Sequence, residues 1–470
     1  MYTVPNEYAI RLHHVRPRFK NDIENVLIYM ATEISKIDAL PAKEFSKHLT
    51  DVIFKYPGNT TKTIKTINNW RTEIPSLFGF VIPEAKEQRP GRRAIELANN
   101  GDLVESFKKF LFSFQYPGGH NKAYETLSFI QKGVRFKPAK TILAILQVAE
   151  KETGARAWLS KAEVCHLIFN DLRCVTGLEK PKSTWKRILN NRKNNVKYNT
   201  RGDIIRYAGD IIDYMEIANL LVSHDGKHYY MNKLEMANIL KFINSKEWFM
   251  DYDNLQKSES ITLKDVKVCT TNWFRYVNRD LSKSDFSTDI LSYISEDEDD
   301  YQDLKNQSIE LFNEKLDDKH LITTKDIGDM GEGMIYAHEC QRVKSGNRLD
   351  LIHLIQRIPT KFAVGYDIQS VELNEEKRYI EVKTTISMKP LKFNKIKLTT
   401  NEWNTAKTMG DRYFIYRLAI SKFDKKLFVI QNPVYLYKQD LIDMTPKDGA
   451  EITFDVKKSG EFKELLTWSN

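Results

Sequence analysis

Cysteine is scarce in this chain. Cys165, Cys174, Cys269 and Cys340 are its four cysteines in 470 residues; no two form a C-x-x-C pair, and Cys165-His166 has no second pair at zinc-ligand spacing. A disulfide framework and a zinc ribbon or finger are therefore excluded, and reduced thiols are expected. Long apolar runs are absent too. No stretch approaches the roughly eighteen apolar residues of a membrane span, and the opening MYTVPNEYAIRLHHVRPRFK has no apolar signal region. The expectation is a soluble, cytoplasmic protein with no membrane partner. Charge is what the chain has in quantity. Lys and Arg total 72 against 63 Asp and Glu, a net charge of +9 that favours an anionic partner. The two signs are interleaved, which points to local basic surfaces and not to a basic tail. A chain of this length is expected to form about two to four domains, each with its own core.

The most informative chemistry lies in the C-terminal third. Gly331-Glu332-Gly333 opens a helix expected over 329–341, Gly365-Tyr366-Asp367-Ile368 follows, and then Ile380-Glu381-Val382-Lys383-Thr384-Thr385. Read as a strand, the last segment alternates: Ile380 and Val382 point into a core while Glu381 and Lys383 share the opposite face. An upstream strand, expected over 361–371, brings Asp367 beside them. Two carboxylates converging with a lysine suit Mg²⁺ binding, with Asp367 and Glu381 as ligands, and Lys383 suits activation of water at a phosphate. Alone, an E-x-K pair is weak evidence in a chain that is 29% charged, since two solvated residues on an exposed strand read the same way. Glu332 sits early in its helix, where the macrodipole favours a carboxylate, so an assisting acid and a plain helix-start acid are equally good readings. His338 reads as a core-edge histidine, because this chemistry needs no imidazole base.

These residues resemble the PD-(D/E)XK nuclease superfamily, with Asp367 as the first acid and Glu381-Val382-Lys383 as the E-x-K half. The span 327–420 also resembles the nuclease-like domain at the C-terminus of the plant protein NO VEIN. The blocks that carry this are the Gly-Glu-Gly helix, Gly-Tyr-Asp, Glu-Val-Lys-Thr-Thr, Leu398-Thr399-Thr400-Asn401-Glu402-Trp403 and Gly410-Asp411-Arg412-Tyr413. The resemblance implies an α/β/α nuclease domain with a mixed sheet, Mg²⁺ as cofactor and catalytic roles for Asp367, Glu381, Lys383 and Glu332.

The N-terminal half reads as two DNA-binding modules. Helices are expected over 22–36, 41–54 and 61–74, the last with Ile64, Ile67 and Trp70 as its apolar stripe and Lys62, Lys65, Asn68, Asn69 and Arg71 on the other face. A hairpin-like segment follows at 78–82, with Lys86, Arg89, Arg92 and Arg93 around a Pro-Gly turn. Recognition helix and basic wing is the order of a winged helix; a small helical domain with a solvated basic face is the plainer alternative. The second module has helices over 139–151 and 160–170. A basic stretch over 181–206 then contains Lys182, Lys186, Arg187, Arg192, Lys193, Arg201 and Arg206 beside Asn191, residue types that contact phosphates and read base edges. A helix over 201–219 leads into two β-runs flanking Asp225-Gly226, a strong hairpin signal.

The joint between the modules, 94–101 and 107–117, resembles the recognition half of AlwI-like type IIS restriction and nicking endonucleases, diffusely over 20–245. That implies tandem winged helices reading an asymmetric sequence. The expected division is a first module with joining helix over 1–130, a second over 131–247, a connector over 248–321 and a nuclease domain over 322–470. In the connector, Trp273-Phe274-Arg275-Tyr276 reads as a packing patch, with base stacking as the alternative, and the five acids 296–300 read as a solvated linker.

The combined expectation is a Mg²⁺-dependent, sequence-specific double-stranded DNA endonuclease of restriction type, multidomain α+β in class. One such centre cuts one strand, so a second nuclease domain, from a transient homodimer or another subunit, is expected for double-strand cleavage. The alternatives are a modification-dependent or defence-associated nuclease, and a DNA-binding regulator with a silent nuclease fold.

Overall fold

Apolar residues recur at helical spacing through the first half of the chain, and there they form helices. The computed structural model describes residues 1–12, 22–56, 63–84, 86–200, 202–258, 260–295, 297–313, 327–359, 364–391, 395–422, 424–446, 449–454 and 463–465. Lys62 and Arg201 lie outside these residues, as does the start of the strand expected from 361. The chain divides into two units, Met1–Ala98 with Leu103–Phe286, and Asn99–Asp102 with Ser287–Asn470.

In the first unit the helices Ile23–Ile34, Ala42–Lys55 and Ile64–Phe78 accompany a small antiparallel sheet whose first strand lies between the first two helices. Its strands are β1 (Leu40–Pro41), β2 (Val81–Pro83) and β3 (Glu87–Pro90), in the order β1-β3-β2. The third helix runs four residues beyond the expected end. Ile67, Trp70, Ile74, Leu77 and Phe78 are buried, a longer stripe than expected, whereas Ile64 is 78% exposed. The same order of helix, strand, helices and two strands recurs in the second half of the unit. Helix Pro138–Thr153 ends at Gly154, whose φ of 64° is the left-handed cap that glycine adopts without strain. Then come β4 (Trp158–Leu159), helices Pro181–Lys193 and Asp203–Ile217, β5 (Leu221–Val222) and β6 (Tyr229–Met231), in the sheet order β4-β6-β5. The helix expected over 160–170 is instead a short helix, Lys161–Glu163, continued by a π-helical turn, Val164–Phe169.

Helices Asp251–Gln256 and Leu263–Val277 also belong to this unit, although their sequence reads as the start of a connector. Trp273 is 1% exposed, packs with Phe249, Tyr252 and Ile130, and donates its indole N–H to the Ser76 carbonyl at 2.8 Å. Trp273 is core and Phe274 and Tyr276 are half-buried, in keeping with the packing reading, while Arg275 is exposed.

The second unit is built on a six-stranded mixed sheet of β7 (Gln356–Arg357), β8 (Ile368–Val371), β9 (Lys377–Ser387), β11 (Tyr413–Ser421), β12 (Asp424–Gln431) and β15 (Lys463–Leu465). The order is β15-β12-β11-β9-β8-β7, and only β9 and β11 run parallel among the paired strands. A second sheet of β10 (Lys395–Thr399), β13 (Ile442–Pro446) and β14 (Gly449–Phe454), with helix Thr400–Met409, buries its apolar side chains together with Tyr379, Tyr413 and Ile415. Helix Ile327–Ser345 packs near Thr384 of β9. With both sheet faces covered, β9 does not alternate in burial: 378–381 are buried in succession and Val382 is half-buried. The acidic run starts a helix, Glu298–Asn313, with Glu298, Asp299 and Asp300 in its first turn, where the helix dipole favours them. It was expected as a solvated linker; Glu296 lies outside the described residues. Among the described residues no helix is long and apolar enough to cross a membrane.

Candidate active site

β9 lies inside the sheet, and two glycines let other elements approach it. A Cβ on Gly331 would fall 1.8 Å from the Thr384 hydroxyl, so only glycine lets helix Ile327–Ser345 come this close to β9. Glu332 is the next residue on that helix. Gly365 has a φ of 81° and its carbonyl accepts the Tyr413 hydroxyl at 3.0 Å, which fixes the turn that leads to Asp367.

Asp367 precedes β8, where Ile368 pairs with Ile380, so its side chain lies across from Glu381. Its backbone N–H donates to the Ile380 carbonyl at 2.9 Å, and its Oδ2 accepts the Val382 N–H at 2.7 Å. Lys383 Nζ donates to Glu381 Oε1 at 2.6 Å and to Glu402 Oε2 at 3.1 Å. Glu402 caps its own helix: Oε2 accepts the Thr399 N–H at 2.9 Å, and the Thr399 hydroxyl receives the Glu402 N–H. Glu332 Oε2 is held by Arg357 Nη2 at 2.8 Å. The structure thus brings Asp367, Glu381 and Lys383 together, with Glu332 close enough for its carboxylate to interact with Asp367.

Negative charge is crowded here. Burial pushes the Glu381 carboxyl well above the usual range; Lys383 pulls it down and Asp367 pushes it further up. Burial also raises Asp367, against its bond from Val382. Glu332 is pushed up to about 7, first by burial and then by Asp367, with Arg357 opposing. Burial disfavours the charge on Lys383, yet Glu381 and Glu402 hold its ammonium above the ordinary lysine range. A divalent cation would relieve this repulsion. Among the described residues no group of three or more His, Cys, Asp or Glu side chains forms a ready metal cage. Asp367 and Glu381 suit the looser set that Mg²⁺ takes, one or two carboxylates completed by water and phosphate oxygens.

Sequence reasoning passed over Glu402 and Arg357. The Thr399-x-x-Glu402 capping box was a visible signal for the first; only tertiary pairing reveals the second. His338 is buried and held below the usual histidine range mainly by burial, in keeping with a core position.

The basic residues of the first unit divide into two sets. Arg93 is 5% exposed, with Nε on the Val277 carbonyl, Nη2 on the Arg279 carbonyl and Nη1 on Glu96. Arg187 pairs with Asp171 at 3.0 Å and Glu179 at 2.7 Å. Arg192 pairs with Glu163 at 2.7 Å and stacks 3.6 Å from the Trp158 ring centroid. Asn191 is buried on the Tyr198 hydroxyl. These four were expected at a DNA surface; in the structure Arg93 and Asn191 are buried and Arg187 and Arg192 half-buried, with their donors turned to carboxylates, carbonyls and a hydroxyl of the fold. Lys186, Lys193 and Arg206 are exposed, as is Lys182, which meets Glu152 at 2.6 Å. Asn68 is exposed and accepts from the half-buried Arg71 at 3.0 Å, and Asn69 is half-buried beside them. Arg89 and Arg92 are exposed and paired with Glu84, and with Glu96 and Asp280. Lys65 is in the helix, but its side chain is not described.

Two family models match the chain. One, the N-terminal region of the restriction endonuclease BpuJI, matches residues 2–274; the other, the C-terminal region of protein NO VEIN, matches 331–430. The expected restriction-endonuclease and NO VEIN resemblances are both met, the first through BpuJI. Among solved structures, the BpuJ1 endonuclease binding domain in complex with pyrene- and phenanthrene-modified DNA is similar, with a TM-score of 0.52 and 24% identity, over 59% of this chain and 100% of that one. At that identity the likeness shows a shared fold. No curated protein matches.

Proposed function

The chain belongs to the family defined by the N-terminal region of the restriction endonuclease BpuJI, and from that premise we propose that it is a sequence-specific, Mg²⁺-dependent double-stranded DNA endonuclease of restriction type. The first unit reads DNA. Its twice-repeated order of helix, strand, helices and two strands supports the winged-helix reading, and the solved neighbour is a DNA complex. The exposed Lys182, Lys186, Lys193 and Arg206 supply phosphate contacts.

The second unit cuts, and one observation carries that reading: Asp367, Glu381 and Lys383 meet beside a buried strand, within hydrogen-bonding reach of one another or of the strand backbone. This supports a PD-(D/E)XK assignment. Asp367 and Glu381 would hold Mg²⁺, which supplies Lewis-acid polarisation of the phosphate and a lowered pKa for bound water. Lys383 orients the attacking water and offers positive charge to the phosphorane-like transition state. Glu402 holds the lysine in place. Glu332, whose carboxyl is pushed up to about 7, stands ready to exchange a proton near neutral pH.

Tandem modules in one chain lack the two-fold symmetry of a palindrome, so the site read is asymmetric and the cut lies to one side. Double-strand cleavage then needs a second nuclease domain, by transient dimerisation or from a partner subunit. The test is digestion of methylated and unmethylated plasmid with Mg²⁺ or EDTA, followed by sequencing of the ends. Mg²⁺-dependent cutting of unmethylated DNA at one asymmetric sequence is expected. Cutting of methylated DNA alone would make the protein a modification-dependent nuclease, and binding without cutting would make it a DNA-binding protein with a silent nuclease fold.

A further inference from the structure

Arg417 stands out among the charged residues of the second unit. It lies on β11 directly beside Lys383 of β9, in parallel register, and therefore on the same sheet face as Glu381 and Lys383. It is 7% exposed. Nη1 donates to the Lys383 carbonyl at 3.3 Å, a long bond, and Nε is sealed from solvent without an acceptor. Among the described residues no carboxylate pairs with it. Burial alone pulls its guanidinium down to about 10, and no anion counters that pull.

The other buried arginine of this sheet is different. Arg378, on the opposite face of β9, reaches both Glu339 at 3.4 Å and Glu372 at 3.1 Å, and lies 4.0 Å from the Phe414 ring centroid. A guanidinium buried without a counter-ion is costly. The expense is offset when an anion arrives from outside the chain. Arginine's planar fork of donors suits a phosphate, which it can engage through two nitrogens.

We propose that Arg417 binds a phosphate of the DNA backbone next to the one being cut, anchoring the strand beside Lys383. This rests on the reading of the protein as a DNA nuclease. The bond to the Lys383 carbonyl ties the anchor to the strand that carries the catalytic lysine. An occupied Arg417 therefore fixes both the substrate and the backbone from which Lys383 projects.

Full-length wild type, Arg417→Gln and Arg417→Lys are compared in two measurements: duplex DNA affinity across a salt series in EDTA, and cleavage with Mg²⁺. Loss of one phosphate contact should reduce the slope of log affinity on log salt by about 0.9 in Arg417→Gln. Cleavage by that variant should fall about 10- to 100-fold. Arg417→Lys should keep the wild-type slope, since the charge remains, and lose cleavage about tenfold, since the fork is gone. An unchanged slope with unchanged cleavage in a folded Arg417→Gln protein overturns the proposal and leaves the nuclease reading intact. A reduced slope in a protein whose wild type does not cleave upholds the anchor and overturns the nuclease reading. If Arg417→Gln does not fold, Arg417→Lys decides, and wild-type cleavage by it overturns the proposal.

Discussion

Arg187 and Arg417 sit in different units: Arg187 follows Lys186 in the basic stretch, whereas Arg417 lies between Tyr416 and Leu418 with no charged neighbour beside it. Arg187 meets Asp171 at 3.0 Å, Glu179 at 2.7 Å and the Leu167 carbonyl at 2.9 Å, so its charge is spent inside the fold. Arg417 meets one carbonyl. The contrast extends to the surrounding units. In the first, the arginines of the most basic stretch mostly neutralise buried acids. In the second, the acids around β9 outnumber the cations that face them, Asp367, Glu381, Glu402 and Glu332 against Lys383 and Arg357, and Asp367, Glu381 and Glu332 are all pushed upward. Local charge density therefore marks neither kind of site. What separates scaffold from function is whether the buried charge already has its partner, because an unpartnered one is tolerated only where something else pays for it.

The sharpest break of that comparison comes from the unbalanced side. Glu381→Ala, Asp367→Ala or Lys383→Ala should each reduce cleavage on the order of 10³-fold or more while DNA binding persists. Wild-type cutting by Glu381→Ala would show the site is misassigned. On the balanced side, Arg192→Ala should lower stability by about 3 kcal/mol or more, since it leaves the buried Glu163 without its bidentate partner, whereas Arg187→Ala should cost less, since Asp171 keeps Arg173 at 2.6 Å. Replacing Lys182, Lys186 and Lys193 together by Ala should instead leave the denaturation midpoint nearly unchanged and flatten the salt dependence of DNA binding by about 2.7 in slope. If the lysine triple unfolds the protein and the arginine variants do not, the division between scaffold and surface is reversed.

Glu332 tests the unbalanced charge by pH. Its carboxyl is held at about 7 in the fold against an ordinary 4.5, so the folded chain binds that proton more tightly than the unfolded one. The resulting stability is fully present below about pH 4.5 and is lost as pH rises through about 7. Glu332→Gln cannot titrate, so its stability relative to wild type should climb across that window and then level off, by up to about 3 kcal/mol. A difference that stays flat from pH 4 to about pH 8 in chemical denaturation would remove Glu332 from the crowded site. The smallest effect concerns the cation. Mg²⁺ at about 100 times its dissociation constant should stabilise the wild type by about 2.7 kcal/mol at pH 8, less as protons compete for the carboxylates, and should not stabilise Glu381→Ala. Equal stabilisation of both proteins would place the ion elsewhere.

Much of this was legible in the residues. The alternation of a strand put Glu381 and Lys383 on one face. The run of helices ahead of two short strands showed in apolar spacing, and Asp225-Gly226 announced its turn, where Asp225 Oδ1 accepts the Lys227 and His228 N–H groups at 2.9 and 2.8 Å. The capping box at Thr399 and Glu402 could be read as well, although not its second task. These signals are local: they depend on side-chain periodicity and on bonds between residues a few positions apart.

What lies outside that reach is the choice of partner. The pairing of Ile368 with Ile380 set Asp367 across from Glu381; the fold turned Glu402 onto Lys383 and Arg357 onto Glu332. It also turned Arg93, Arg187 and Arg192 inward, and drew Trp273 into the core of the first unit. A charged side chain looks the same in sequence whether it faces water, a buried acid or no acceptor at all. Its role depends on what occupies the few ångströms around its tip, and residues distant along the chain supply those neighbours, so only the tertiary structure decides it.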